Sequence, residues 1–392
     1  MLSGLWSKSN FIFVGLFLLV GSFASQGAVF QVCLYLVPLC MMIGKEYRHV
    51  FFGLLTKYLA YSCSYVVLVC VVSFVIGGVE ESLIDYKGLK DIFDMLWRLV
   101  LLPFALVTFF VVKEECIKYI PASLFVVFVV YLGFGYFDFF REAVEGYRMT
   151  GLVKNANGFG FVSASAALFF MFGVLFKKWN RFYMLCGFLS AFSALLLSGS
   201  RGALLAVLFS FFFAYVLVLR NSISFSKKSF VGGVFVVFLC FLILYPYIQD
   251  RISNVFHDPI RISIWEYYFS NILEYPIFGR FNIEDYLYYN NEYAMFFGPH
   301  NIHLEILSRS GIVGYAVFVY FVLKLFRVVL DSTFESVFCL SLLLLVLFAG
   351  FFDFSLYGDT ILQIPMALSI AYCVWLLRFR AVQSDSALQR RI

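Results

Sequence analysis

Long apolar runs separated by short polar stretches recur along this chain, and their spacing predicts a helical membrane protein. A helix needs roughly 20 apolar residues to cross a bilayer. Backbone in lipid must satisfy its own hydrogen bonds, which selects helices over open strands. About twelve such runs are predicted, at roughly 10–25, 28–44, 55–77, 92–112, 117–137, 157–176, 181–199, 201–219, 229–248, 303–326, 334–354 and 360–379. The first two are short enough to be tilted or interfacial. The first also resembles a leader, with Lys8 ahead of it and small residues near Ala24. Because further spans follow at once, it reads as a retained helix. The expected fold is all-α, a single transmembrane domain over 1–392. One larger loop at about 249–299, between the ninth and tenth spans, is expected to contain short helices.

Within that loop, Asp258-Pro259 reads as an N-cap followed by proline at the first helical position. Ile260, Ile264, Trp265, Tyr268, Ile272 and Leu273 then give an amphipathic pattern that ends near Pro276. Such a helix suits a membrane surface or the cover of a cavity. Tyr286, Tyr288, Tyr289 and Tyr293 follow. They read as interface anchors or as platforms for the apolar faces of sugar rings.

Composition strengthens the membrane reading: 62% of the 392 residues are hydrophobic and only 14% are charged. The net charge of +5 is dispersed, with no basic block of the kind that binds nucleic acid. All nine cysteines except Cys116 fall inside apolar runs, so no disulfide framework is expected. No repeat at a fixed period is visible.

Charge sets the orientation. With the N-terminus inside, the inward segments carry 17 lysines and arginines and the outward segments 10, as the positive-inside rule requires. Both termini are then cytoplasmic, and loop 249–299 is external. That loop is acidic on balance, with seven carboxylates against Arg251, Arg261 and Arg280.

This topology gathers the chain's polar residues. Three inward-running helices each begin with a polar, glycine-containing segment: Arg148 to Asn155-Ala-Asn157, Ser198-Gly-Ser200-Arg201-Gly202, and Pro299-His300-Asn301 directly after Gly298. Free N–H groups and the positive dipole end make each such start a ready anion site. Arg201 is the most telling residue. A serine already caps its helix, and a cation in the first turn opposes the dipole. A phosphate group seated there resolves the conflict, because guanidinium matches phosphate geometry; snorkelling to lipid headgroups is the competing reading. Arg261, second in its predicted helix, poses the same puzzle. Histidine exchanges protons near neutral pH, which makes His300 the candidate base, with His257 and His303 weaker. Glu305 and Arg309 complete the polar stretch from Gly298 to Gly314. No metal is expected, since His300 and His303 lie three apart and no further external histidine or cysteine completes a ligand set. There is no Walker loop or dinucleotide fingerprint, so the energy for any reaction would come with the substrate, and no cofactor is expected.

Four ordered pieces carry a family resemblance: Arg148-x-x-Gly151-x-x-x-Asn155-x-Asn157, Ser198-Gly-Ser-Arg201-Gly-Ala203, Arg261-x-x-x-Trp265 leading to Pro276 and Gly279, and His300-Asn301 leading to Gly311 and Gly314. Together they resemble the O-antigen ligase and polymerase superfamily of bacterial inner-membrane glycosyltransferases. Ala156 departs from the family, which often has proline between the two asparagines.

The resemblance implies a glycan donor on undecaprenyl diphosphate at the periplasmic face. The acceptor would be a sugar hydroxyl, on lipid A–core for a ligase or on a second lipid-linked repeat unit for a polymerase. Transfer would need neither metal nor nucleotide. Arg201 and Arg261 would hold the diphosphate, and His300 would position or deprotonate the acceptor. Arg148, Asn155, Asn157, Ser200, Asn301 and Trp265 are the expected substrate-binding residues. The single sizeable external loop favours a ligase. A polymerase is the alternative, and a lipid-linked glycan transporter the second; a transporter would place its charges near the bilayer midplane.

Overall fold

The computed structural model describes residues 120–142, 148–153, 155–220, 259–280, 286–290, 293–328 and 334–351, with scattered positions at 48–50, 52–53, 108, 283, 354, 365–366, 369–370, 372–373 and 375–376. The predicted spans at 10–25, 28–44, 55–77 and 229–248, nearly all of 92–112, most of 360–379, and residues Arg251, His257 and Asp258 lie outside the described residues.

The predicted runs at 117–137, 157–176, 181–199 and 201–219 appear as α1 (Ile120–Arg141), α2 (Ala156–Leu175), α3 (Arg181–Ser198) and α4 (Arg201–Arg220). After the loop come α5 (Pro259–Glu274), strands β1 (Tyr286–Asn290) and β2 (Tyr293–Phe297), α6 (Ile302–Val328) and α7 (Phe334–Ala349). Among the described residues, α1, α2, α3 and the Ile302–Tyr320 part of α6 are long and apolar enough to cross a membrane. This is the pattern of a polytopic helical membrane protein.

Helix α2 is the centre of the bundle. Of its most apolar window 89% is buried within the protein, against 44% for α1 and α3. A helix apolar all round belongs inside other helices, and α2 packs against α1, α3, α4 and α7. Phe169 on α2 anchors an aromatic cluster, touching Phe128, Phe170, Trp179, Phe334 and Phe338 with ring centroids 5.3 to 5.7 Å apart. Beyond the α2 C-terminus, Lys178 forms a 2.7 Å ion pair with Glu335 at the start of α7. α7 therefore runs antiparallel to α2, and ends beside the α2 N-terminus.

The described bundle is helical as expected, but three details differ from the sequence pattern. The loop's described residues form one helix and a two-stranded β-hairpin. β1 pairs with β2 from Tyr286↔Phe297 to Asn290↔Tyr293, because Tyr-Leu-Tyr-Tyr-Asn and Tyr-Ala-Met-Phe-Phe are strand-forming aromatic stretches joined by two residues. The inner face of α5 is also narrower than the pattern implied. Ile264 and Tyr268 are buried, whereas Leu273 is exposed along with Ile262 and Phe269. Finally, the tenth run is not one continuous helix: α6 is broken at Gly311 (φ 62°, ψ −168°).

Candidate functional site

The site begins with three helix starts at one end of the bundle. Asn155 caps α2, its side-chain oxygen accepting from the N–H groups of Asn157 (2.9 Å) and Gly158 (3.3 Å). Arg148 donates from Nε to Ser198 O at 2.8 Å and from its terminal nitrogen to Asn157 Oδ1 at 2.6 Å. The Met149 N–H adds a bond to Leu197 O at 3.2 Å. Charge-assisted bonds such as these are stronger than neutral ones. Arg148 therefore braces the α2 start against the α3 end.

Two residues, Gly199 and Ser200, separate α3 from α4. Gly199 lies in the left-handed region (φ 63°, ψ 21°) that a helix C-cap requires, and its N–H reaches Leu196 O at 3.0 Å. The expected serine cap works differently from the sequence reading. Ser198 Oγ accepts from the Ser200 N–H at 3.2 Å, while Ser200 Oγ is buried with no hydrogen-bond partner among the described residues. The Ser200 side chain packs toward Gly160 of α2, where a Cβ would collide with Ser198 Oγ and Ser200 Cβ. Arg201 opens α4 directly after this tight turn.

The third start belongs to α6. Asn301 Oδ1 accepts from the N–H groups of His303 (3.0 Å) and Leu304 (3.1 Å), and its Nδ2 donates to Phe351 O at 3.1 Å. The Ile302 N–H donates to Gly350 O at 2.7 Å, so α6 starts where α7 ends. Asn301 also bridges to Phe354, whose ring meets Phe161 of α2 at 5.5 Å. One turn of α2 thus joins both halves of the site: Gly160 meets the Ser198–Ser200 turn, and Phe161 reaches Asn301 through Phe354. Sequence reading passed over Gly160 and Phe354, because neither carries chemistry of its own.

His300 precedes this cap with φ at 46°, a conformation non-glycine residues seldom adopt. Lys177 shares it for an ordinary reason. It closes α2 with the paired bonds of a Schellman end, Lys177 N–H to Val174 O and Lys178 N–H to Gly173 O. No helix ends at His300, so there the conformation is a local feature of the site. His303 is a packing residue. Its ring stacks on Phe351 with centroids 3.7 Å apart, and its nitrogens meet Tyr315 Oη (3.0 Å) and Leu347 O (3.2 Å). A carbonyl can only accept, so Nε2 carries the proton and Nδ1 accepts from tyrosine. Glu305 is buried 3.9 Å from Arg309, one turn along the same helix.

Trp265 on α5 donates from Nε1 to Pro299 O at 3.2 Å, beside His300. Arg261 stands one turn earlier on the same face of α5. Arg261, Trp265, His300 and Asn301 therefore form one group and Arg148, Asn155, Asn157, Ser200 and Arg201 another, and the first turns of α2 contact both. Among the described residues, no three His, Cys, Asp or Glu side chains gather as a metal site would require.

Residues 186–319 match the family model described as O-antigen ligase. Over this stretch the chain is similar to an O-antigen ligase family domain. No curated protein matches the chain. The family domain holds Ser200, Arg201, Arg261, Trp265, His300 and Asn301, together with Gly279 and Gly311. Arg148, Asn155 and Asn157 precede it, yet Arg148 is bonded to Ser198 within it. Members of the family are lipid-linked glycan transferases.

Proposed function

We propose that this protein is an O-antigen ligase. It transfers glycan from undecaprenyl diphosphate to a sugar hydroxyl of lipid A–core, on the periplasmic side of the bacterial inner membrane. The observation that carries the reading is the gathering of the α2, α4 and α6 starts, with Arg148, Arg201 and His300, at one end of the bundle. Arg201 and Arg261 bind the diphosphate. The acceptor oxygen attacks the anomeric carbon, and the bond from that carbon to the diphosphate oxygen breaks. His300 takes the hydroxyl proton as the new glycosidic bond forms, while the arginines take up the negative charge of the departing undecaprenyl diphosphate. Arg148, Asn155, Asn157 and Asn301 hold the helix starts in place around the substrates, with Ser200 and Trp265 at the edges of the two groups.

The lipopolysaccharide of a deletion strain tests this. A ligase deletion leaves complete core without O-chain, while polymer accumulates on undecaprenyl diphosphate. Core carrying a single repeat unit, with no long chains anywhere, would assign the protein to polymerisation instead. In detergent, the purified enzyme should keep its rate in EDTA.

A further inference from the structure

The break in α6 is filled by another part of the chain. In an unbroken helix the Ile312 N–H would bond Ser308 O, and the Val313 N–H would bond Arg309 O. Here the Ile312 N–H donates to Pro276 O at 2.9 Å and the Val313 N–H to Ile277 O at 3.1 Å. The released Ser308 carbonyl accepts from the Arg280 N–H at 2.8 Å. The turn following α5 has thus taken over the bonds that α6 gave up.

Two glycines make this contact possible, both with positive φ: Gly279 at 70° and Gly311 at 62°. A Cβ on Gly279 would stand 2.5 Å from the backbone nitrogens of both Ser310 and Gly311. A Cβ on Gly311 would overlap the Ile277 carbonyl. Backbone lies against backbone here, so no side chain can yield. The turn is itself tied to α5 by the Gly279 N–H, which donates to Tyr275 O at 3.0 Å. Further back, in the middle of α5, Trp265 holds Pro299 O. Helix α5 therefore grips the His300 segment both before and after His300.

We propose that this interlock is a positioning device for glycan transfer, and that Gly279 and Gly311 are positioning residues. The proposal rests on the transferase reading above. Arg261 lies on a loop helix and His300 on the bundle, and a reaction using both needs a constant separation between them. A displacement of about 1 Å at a reacting group can cost around 10²-fold in rate. The interlock makes α5 and the start of α6 one body.

A double-mutant cycle on the full-length enzyme in lipid nanodiscs tests the idea. Gly279→Ala and Gly311→Ala attack one contact from its two sides. Each should lower kcat by about 10²-fold, with affinity for undecaprenyl diphosphate changed less than about threefold by the same positioning argument. The double variant should be no worse than either single one, because coupled sites are not additive. Losses that multiply, or that fall on affinity alone, would overturn the proposal. Amide exchange in the wild type gives a check independent of activity and of variant folding. Peptides covering 276–280 and 308–313 should be protected and open together; rapid exchange at 276–280 beside a protected 308–313 would overturn it. If the wild type transfers no glycan while these segments exchange together, the functional reading fails and the interlock remains as geometry.

Discussion

The Ser198–Arg201 turn and the Gly279–Gly311 interlock hold the two halves of the site by opposite means. At the first, side chains bind backbone: Arg148 grips the Ser198 carbonyl, Asn155 caps α2, and Ser198 Oγ receives the Ser200 N–H. At the second, backbone binds backbone, and the glycines contribute by lacking a Cβ. The first arrangement lies within consecutive helices of the bundle and positions Arg201. The second joins a loop to a helix and positions Arg261 relative to His300. A side-chain brace can be trimmed atom by atom, whereas a backbone interlock tolerates nothing larger than hydrogen. The two regions should therefore respond differently to substitution.

The largest effects are expected at the chemistry both regions serve. His300→Ala should slow turnover by about 10²- to 10⁴-fold, the usual worth of a general base, with donor binding largely kept. Arg201→Lys should lose about as much as Arg201→Ala, roughly 10²-fold or more, since an ammonium cannot match a two-pronged guanidinium contact. Steady-state rates with lipid-linked donor, at equal inserted protein, measure both. Wild-type rates in Arg201→Ala would return that residue to a headgroup contact.

Arg148→Ala sharpens the comparison itself. It removes two charge-assisted bonds and leaves the Ser198 carbonyl to find another donor. A stability loss of about 2 kcal/mol is expected, together with a smaller fall in rate than at Arg201. Arg148→Lys should restore part of the stability, because the brace can be rebuilt by another donor. Thermal unfolding in detergent beside the activity assay separates the two effects. Equal collapse of rate in Arg148→Ala and Arg201→Ala, at unchanged stability, would place Arg148 on the substrate.

The smallest catalytic effects belong to residues whose polar atoms are already engaged. Asn155→Ala should cost about 1 kcal/mol as a lost cap. His303→Ala should cost about 2 kcal/mol through lost stacking and two lost hydrogen bonds. Neither should change turnover per folded molecule more than a few-fold on that account. A His303→Ala rate as low as that of His300→Ala would exchange the roles of the two histidines.

Much of this molecule was legible along the chain. The apolar runs that became α1 to α4 announced themselves by length, since a lipid environment demands long uninterrupted helices wherever it is crossed. The polar starts at Asn155, Ser198 to Arg201 and Asn301 stood out because costly residues beside apolar runs need a reason. Proline at 259 marked the start of α5, because its missing N–H is harmless only in a first turn. Tertiary structure decided what those signals could not carry. The apolar run after Asn301 gave no sign of the break at Gly311, because the bonds that compensate it come from Pro276, Ile277 and Arg280, more than thirty positions earlier. The sequence ranked His303 below His300 as a base, but only the arrival of Tyr315, Leu347 and Phe351 makes it a packing residue. Hydrophobic periodicity is a local property of the chain; which backbone completes a broken helix, and which histidine is enclosed, depends on partners that only the folded chain brings near.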